Sequence, residues 1–546
     1  MSVTTREAVI LGGGLAGLCL ALQLRGEFPD MDILVLERNR HPLPAAAHKV
    51  GESTVEIGAH YFDHTLGLRE HMDAAHIRKF GLRYFFSDGR EDVQNTTELG
   101  VSRLLPIPSY QIDRGIFENF LGEEARRRGI DFRDGATVRS FSVGEHGATH
   151  AVHFVDADGE HAVEARWLLD ASGRAALLRR RFELTLDNGH HANAVWFRMD
   201  AKLDIDRWSD DADWRARVSP RERWRSTNHL MGAGYWAWLI PLGSGAHSVG
   251  IVSDAAMHPL EGMRDFDLAL KWLHARQPAM GRAVAAERGS LLDFRFLRNY
   301  SHSSKQLFSG DRWALTGEAG TFLDPFYSPG SDFIAIANTY IVALIGHDRA
   351  GRNIAPYAHF YEKLFFSFYE NTLTLFRDQY PLFGNAEVLP AKVIWDYAYY
   401  WGVLCQLMFQ QRLTDLNLLG DMRVELEHAQ ALNRRMQQLF RQWHAASSAQ
   451  SRREMLDQCA LTWFAELNAS LTEPLDDAGI RARLRDNVRL LDGIADALAL
   501  QAGSTDRRLH APSSGQPRPP LFAAVRRDGV SAQPMPPLTP ITWPLM

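Results

Sequence analysis

The stretch 7–38 constrains the fold most, because it has the order strand, glycine loop, helix, strand and acid. Residues 8–11 are a short apolar run, which is typical of a buried parallel strand. Gly12, Gly14 and Gly17 follow directly in the spacing G-x-G-x-x-G. The first glycine permits a tight turn, the second lets backbone approach a pyrophosphate, and the third lets helix and strand pack closely. The pattern predicts a Rossmann-like dinucleotide-binding domain.

The same unit indicates how the dinucleotide is held. The helix begins at Leu15 and Ala16, and its unpaired N–H groups and dipole favour bound phosphates. The second strand, 32–36, ends in Glu37, whose carboxylate can accept both hydroxyls of an adenosine ribose. Arg38 follows directly and is included in the predicted cofactor site.

Composition argues against several other classes of protein. The net charge of −6 over 546 residues argues against a nucleic-acid surface. The three cysteines have no CxxC spacing, which is typical of reduced packing cysteines in the cytosol, and no metal site is predicted. The chain begins with its first strand, so we expect no signal peptide and a cytoplasmic location. The longest apolar run, 333–345, is too short to span a membrane.

Changes in composition along the chain predict three parts. Residues 1–346 form the cofactor-binding core, with a β-rich part at about 190–300. Residues 347–501 form a helical domain rich in aromatic side chains, which could roof a substrate pocket. Residues 502–546 are rich in Pro, Ser, Gly and Arg, and we expect a disordered tail.

Two later strands end in turns that would return to the cofactor site. An apolar strand at 165–169 is followed by Asp170 and a glycine turn. A third strand at 313–316 is followed by Gly317 and Glu318. Both turns are expected to lie beside the glycine loop.

Other candidate residues have a structural as well as a functional interpretation. Trp236 and Trp238 occupy alternate positions of a strand-like run, so they could simply form the buried face of a strand. Ser53 or Thr54 could cap the helix that follows them. Lys79 precedes another strand-like run, where a lysine is usually a solvated charge. Position alone does not decide between these interpretations.

The strand-end turns beside the glycine loop resemble the flavin monooxygenase class. Further motifs make the chain similar to the flavin-dependent halogenases, often labelled tryptophan halogenases. These motifs are G-E-S-T at residues 51–54, W-x-W-x-I-P at Trp236, Trp238, Ile240 and Pro241, and F-x-x-P-x-x-S-x-G at residues 322–330. Lys79 falls where this family has its reactive lysine. The resemblance is close up to about residue 350 and holds only in outline for the helical part.

The resemblance implies an enzyme in which FADH2 and O2 oxidise a halide to hypohalous acid. A separate flavin reductase would supply the FADH2. Lys79 would pass the halogen to an aromatic carbon, while the W-x-W-x-I-P strand keeps the substrate away from the flavin. The other residues implied are Glu52, Ser53, Thr54, Arg114, Gly317, Glu318 and Pro325 for the cofactor, and Ser328, Gly330 and Ser331 for the halide.

Two departures from the family pattern bear on substrate and halide. Tyr327 stands where tryptophan-specific members carry a glutamate. This favours the phenol or pyrrole branch, whose substrates are often tethered to a carrier protein. Pro329 stands where the family commonly has threonine, so one backbone N–H near the halide is missing.

Two alternatives remain open at the level of sequence. One is a flavin monooxygenase or reductase that does not halogenate, because geranylgeranyl-type reductases carry a related Trp-containing strand. The other is a non-catalytic flavoprotein that binds a pathway partner.

Overall fold

The structure is a computed structural model that describes residues 4–44, 50–510 and 518–522. Most of the expected disordered tail, 502–546, therefore lies outside the described residues. The described chain has two large β-sheets and a helical part, which confirms the expected α/β class with a Rossmann-like domain.

The strands of the described chain lie in its first two thirds, except for the last one. They are β1 (Thr4–Leu11), β2 (Ile33–Glu37), β3 (Ile77–Arg78), β4 (Leu82–Phe85), β5 (Thr97–Gly100), β6 (Tyr110–Gln111), β7 (Asp131–Asp134), β8 (Thr137–Ser142), β9 (His150–Asp156), β10 (Gly159–Asp170), β11 (Thr185–Leu186), β12 (Ala192–Met199), β13 (Thr227–Gly232), β14 (Tyr235–Pro241), β15 (His247–Asp254), β16 (Leu291–Leu297), β17 (Ser303–Ser304), β18 (Trp313–Leu315) and β19 (Glu454–Asp457).

The helices are longest in the last third of the chain. They are α1 (Leu15–Glu27), α2 (Glu56–His60), α3 (Arg69–Ala75), α4 (Arg114–Arg127), α5 (Leu177–Arg181), α6 (Ala212–Arg215), α7 (Phe266–Arg276), α8 (Pro278–Ala286), α9 (Gly330–Arg349), α10 (Ala355–Leu373), α11 (Val388–Tyr399), α12 (Gln406–Phe409), α13 (Leu416–Asp421), α14 (Arg423–Ala446), α15 (Thr462–Ala469) and α16 (Asp477–Gln501). Two π-helical turns, Tyr61–Thr65 and Tyr400–Cys405, follow α2 and α11.

The first sheet has the order β7-β2-β1-β10-β9-β8, with β18 also paired to β10. Strands β7, β2, β1, β10 and β18 are parallel, and the apolar residues of β1 and β2 are buried as such strands require. In this register Leu11 lies beside Asp170, and Asp170 beside Leu315. The turns that follow these strands therefore meet at one edge of the sheet.

The second sheet has the order β16-β12-β15-β14-β13-β4-β5-β19. Its central strand β14 carries the two alternating tryptophans and is buried along its whole length. Strands β4 and β5 come from residues 82–100, well before the β-rich part expected at about 190–300. Strand β19 comes from the helical part and pairs parallel with β5, so the C-terminal third is joined to this sheet.

The helical part lies on the same hydrophobic core as the first sheet. Helix α9 continues to Arg349, beyond the expected domain boundary at residue 346. All three cysteines are buried and form no disulfide, and they are Cys19, Cys405 and Cys459. Among the helices of the described chain, we find none with the length and apolar character needed to cross a lipid bilayer.

Candidate active site

A cavity of about 340 Å³ lies where the turns after β1, β10 and β18 meet. We call it the strand-end cavity. Most of the residues predicted to bind cofactor or halide line it. These are Gly12, Gly14, Leu15, Ala16, Glu37, Arg38, Glu52, Ser53, Arg114, Gly317, Glu318, Pro325, Ser328, Gly330 and Ser331.

The glycine loop has the geometry that a dinucleotide requires. Gly12 has a φ of +110°, and a Cβ there would lie 2.4 Å from the carbonyl oxygen of Ala171. A Cβ at Gly17 would lie 2.0 Å from the carbonyl oxygen of Gly12. Gly14 precedes α1, and no side chain caps the first N–H groups of that helix. The residues present therefore fit a bound pyrophosphate.

Glu37 has a structural role beside its predicted ribose contact. Its Oε2 accepts a hydrogen bond from the Gly13 backbone N–H at 2.8 Å, and its Oε1 accepts one from the Asn39 backbone N–H at 2.8 Å. The carboxylate thus holds the glycine loop in place while it lines the cavity.

Four predicted site residues do not line the strand-end cavity. Gly17 packs under the glycine loop, and Pro241 ends β14 opposite His247. Thr54 is turned away, because its hydroxyl accepts a hydrogen bond from the Tyr110 backbone N–H at 2.8 Å. The fourth is Lys79, which lines a separate cavity described below.

Trp236 and Trp238 are at once buried in the sheet and part of the cavity wall. The Trp236 Nε1 donates to the Tyr380 hydroxyl at 3.0 Å, and that hydroxyl donates to Asp324 Oδ2 at 2.6 Å. The Trp238 Nε1 donates to Ser248 Oγ at 3.1 Å. Both indoles are therefore fixed in orientation by hydrogen bonds.

Asp324 is a site residue that sequence reasoning missed. Besides Tyr380, its Oδ2 accepts a hydrogen bond from the Tyr300 hydroxyl at 2.8 Å and lies 2.7 Å from His190 Nε2. It lines the strand-end cavity and is 1% exposed. The sequence feature that could have indicated Asp324 is the presence of an acid inside the otherwise apolar F-x-x-P segment.

Lys79 is a buried amine and not a solvated charge, with 4% of its surface exposed. Its Nζ donates to Ser53 Oγ at 2.9 Å and to the Thr54 carbonyl oxygen at 2.6 Å. Burial lowers the pKa of Lys79 to about 7, and the carboxyl groups of Glu56 and Asp332 oppose that shift. Near neutral pH the amine therefore exists in part without its proton.

Lys79 lines a second, much smaller cavity of about 20 Å³, the Lys79 cavity. Its walls are mostly apolar and aromatic, and they come from residues 55–109, including β4 of the second sheet, and from the helical part. They are Val55, Glu56, Gly81, Leu82, Val101, Leu105, Ile107, Ser109, Tyr397, Gln458 and Phe464. Sequence reasoning found none of these wall residues, because they come from separate segments that carry no motif.

Ser53 connects the two cavities. It lines the strand-end cavity, and its hydroxyl is hydrogen-bonded to the Lys79 Nζ.

His229, on β13, also lines the strand-end cavity, and its Nε2 has no hydrogen-bond partner among the described residues. Burial, with the nearby charge of Lys79, lowers the pKa of His229 to about 3, so this ring is neutral. Sequence reasoning missed His229.

The predicted halide residues lie at the N-terminus of α9. Ser328 has a φ of +57°, and the helix starts at Gly330 with Pro329 at its N-cap. Ser331 Oγ is buried without a hydrogen-bond partner in the described chain. The helix dipole and the free N–H groups suit an anion, and Pro329 supplies no N–H.

Tyr327 faces the helical part. Its hydroxyl donates to Asp396 Oδ2 at 2.7 Å, and it lines neither cavity. We also find no group of three His, Cys, Asp or Glu side chains placed to hold a metal ion within the described ranges.

Comparison with known proteins decides the family. The sequence model described as Tryptophan halogenase matches residues 86–371, more than half of the 546 residues. The chain belongs to the tryptophan halogenase family. A second match, to an NAD(P)-binding Rossmann-like domain, covers residues 10–75. The expected family, the enzyme class of flavin-dependent halogenases and FAD as the cofactor are confirmed.

Two relatives and one solved structure illustrate this membership. The chain is 24% identical over 438 residues to flavin-dependent halogenase chlA of Dictyostelium discoideum, covering 73% of this chain and 70% of chlA. It is 27% identical over 359 residues to the 1H-pyrrole-2-carbonyl-[peptidyl-carrier protein] brominase of Pseudoalteromonas luteoviolacea, covering 63% and 79%. Halogenase PltM in complex with phloroglucinol and FAD shares the fold, with a TM-score of 0.62 and 17% identity over 90% of this chain and 96% of PltM.

Proposed function

We propose that this family member halogenates an electron-rich aromatic compound through Lys79. The observation that carries the proposal is the position of Lys79. Its amine is buried, has a pKa of about 7, and is hydrogen-bonded to Ser53, which lines the strand-end cavity. Such an amine is suited to receive an oxidised halogen from one cavity and present it in the other.

The two cavities divide the reaction. When FAD is bound and reduced, it supplies the chemistry that turns O2 and halide into hypohalous acid. Trp236 and Trp238 exclude the aromatic substrate from the flavin side, since both indoles are fixed by hydrogen bonds. The Lys79 amine then reacts with hypohalous acid to give a haloamine and water. An amine with a pKa near 7 is about half unprotonated at pH 7 and so has a free electron pair for this step.

Contacts on the Lys79 side support a phenol- or pyrrole-like substrate. Tyr397 and Phe464 give the Lys79 cavity aromatic walls, whereas Tyr327 does not line it and donates to Asp396. A cavity of about 20 Å³ holds roughly one water, so an aromatic ring enters only when wall residues move. The name of the Pseudoalteromonas relative supports a carrier-bound pyrrole, and the PltM complex supports a free phenol. A separate flavin reductase completes the proposed system.

The experiment supplies reduced FAD, O2 and bromide to the purified protein. Phloroglucinol, resorcinol and a pyrrole-2-carbonyl carrier protein serve as probes, and products are analysed by intact mass. We expect a brominated product, recognised by the bromine isotope pair, from at least one probe. Hydrogen peroxide without any brominated probe would contradict the proposal.

One observation favours a second candidate, a flavin monooxygenase that inserts oxygen without halogenation. Pro329 removes a backbone N–H from the N-terminus of α9, where the halide is expected. In the same experiment this candidate predicts a product that gains one oxygen atom and no bromine.

A further inference from the structure

A carboxylic acid shares the Lys79 cavity. Glu56 is the first residue of α2, is 5% exposed, and lines this cavity together with Lys79. Its Oε2 accepts a hydrogen bond from the indole Nε1 of Trp401 at 2.9 Å, which fixes the carboxyl group. The Lys79 hydrogen bonds go to Ser53 and Thr54 and not to Glu56. The amine and the acid therefore border the same small space without being paired to each other.

Other titratable groups near Lys79 are placed differently. Asp332 accepts hydrogen bonds from the Gly58 backbone N–H at 2.8 Å and the Tyr400 hydroxyl at 2.6 Å, and it lines neither cavity. Tyr397 lines the Lys79 cavity, but burial raises its pKa well above the ordinary value of a tyrosine. In the described part of the chain, Glu56 is thus the carboxylate that borders the Lys79 cavity.

We propose that Glu56 is the catalytic base that removes the proton from the aromatic carbon as it is halogenated. This rests on the proposed function. The haloamine of Lys79 gives its halogen to the ring, so the new carbon–halogen bond forms as the nitrogen–halogen bond breaks, and that electron pair stays on nitrogen. The ring proton goes to the Glu56 carboxylate and then to the Lys79 nitrogen, which returns both residues to their starting forms. Aromatic compound and haloamine become haloaromatic compound and amine.

The surroundings of Glu56 support this role. Burial raises the pKa of Glu56, while the hydrogen bond from Trp401 and the charge of Lys79 oppose the rise. A carboxylate with a raised pKa is a stronger base than a solvated one. Burial also raises the pKa of Asp332, to about 8, but Asp332 does not line the Lys79 cavity.

The test compares Glu56→Gln with Asp332→Asn as a matched control. Both variants remove a carboxyl group that acts on the Lys79 charge, but only Glu56 borders the cavity. The probes are resorcinol and a pyrrole-2-carbonyl carrier protein, each with hydrogen or deuterium on the ring. Bromination is followed with reduced FAD, O2 and bromide, and FAD binding is measured as a control for folding.

We expect Glu56→Gln to bind FAD normally and to brominate about 100-fold more slowly than wild type. Its isotope effect for the deuterated ring should exceed that of wild type and of Asp332→Asn, because proton removal has become slow. Unchanged bromination, slow bromination without a larger isotope effect, or the same isotope effect in Asp332→Asn would each overturn the assignment.

A second variant tests the role of Glu56 if Glu56→Gln does not fold. Glu56→Ala leaves room for a small acid, so added acetate should restore part of its bromination. Absence of rescue in a variant that binds FAD would overturn the assignment. A wild type that binds FAD but brominates neither probe overturns the proposed function, and this inference with it, whereas the outcomes above concern Glu56 alone.

Discussion

The strand-end cavity and the Lys79 cavity are neighbours built in opposite ways. The first has a volume of about 340 Å³ and is formed by turns that follow parallel strands. The second has about 20 Å³ and is formed by side chains from distant parts of the chain, including Tyr397 and Phe464 of the helical part. The proposed cofactor site therefore depends on local backbone geometry, whereas the lowered pKa of Lys79 depends on tertiary burial.

This difference implies that the two functions can be separated by substitution. Ser53 and its hydrogen bond to Lys79 are the direct link between the cavities. A change at the glycine loop should remove FAD and everything that depends on it. A change at Lys79 should leave FAD in place and remove only the halogenated product.

The largest expected effect is at the glycine loop. Gly14→Val places a branched side chain where the pyrophosphate approaches, at a backbone φ of −84° that valine tolerates. We expect a folded protein whose FAD affinity falls at least 100-fold, which is about 2.7 kcal/mol. Fluorescence titration with FAD measures this.

Gly26→Ala is the matched control for that substitution. Gly26 lies in the last turn of α1, the helix that Gly14 precedes, and a Cβ there meets nothing within 4 Å. It should keep full FAD affinity and gain about 0.5–1 kcal/mol of stability. Normal affinity in Gly14→Val would show that this loop does not bind the cofactor.

Pro329→Thr should strengthen halide use. Threonine supplies the missing N–H at the start of α9, and a hydrogen bond to an anion contributes about 1.5–3 kcal/mol. The halide concentration for half-maximal halogenation should fall by roughly one to two powers of ten. Pro329→Ala restores the N–H without the hydroxyl, so it should give most of the gain. Wild type saturating at low chloride, with neither variant different from it, would refute the explanation.

The pH dependence follows from Lys79. Its folded pKa of about 7 means that the reactive, unprotonated amine increases as pH rises through 7. Halogen transfer should therefore rise about tenfold between pH 6 and pH 8 and then level off, while FAD binding stays constant. Single-turnover bromination at a series of pH values checks this. A rate that is flat or falls over that range would contradict the role of a neutral amine.

The smallest expected effect concerns Trp236, which is proposed to keep the substrate away from the flavin. Trp236→Phe loses the hydrogen bond to Tyr380, at a cost of about 0.5–1.5 kcal/mol, and leaves a gap beside the flavin. We expect more peroxide and less product for each FADH2 oxidised. Trp214→Phe, at a buried indole that lines neither cavity, should lower stability without this uncoupling. Equal coupling in both variants would mean that Trp236 serves packing alone.

The sequence was informative where a function depends on consecutive residues. The glycine loop and Glu37 lie in one short stretch and the two tryptophans in another, so strand and turn geometry predicts where each stretch lies along the cavity they line. Motif order also predicted Lys79, but not its low pKa. That value comes from burial under residues up to 385 positions away, such as Phe464. Glu56 and His229 were missed for the same reason, because only the folded chain brings them close to Lys79.

The role proposed for Lys79 is measured most directly in Lys79→Met, with two readouts from one sample. Lys392→Met is the control, because Lys392 is also fully buried but pairs with Asp396 and lines neither cavity. FAD affinity and brominated product per FADH2 oxidised are measured together. We predict that Lys79→Met keeps the FAD affinity of wild type and loses the brominated product, whereas Lys392→Met keeps both. Brominated product at the wild-type yield from Lys79→Met would contradict the account.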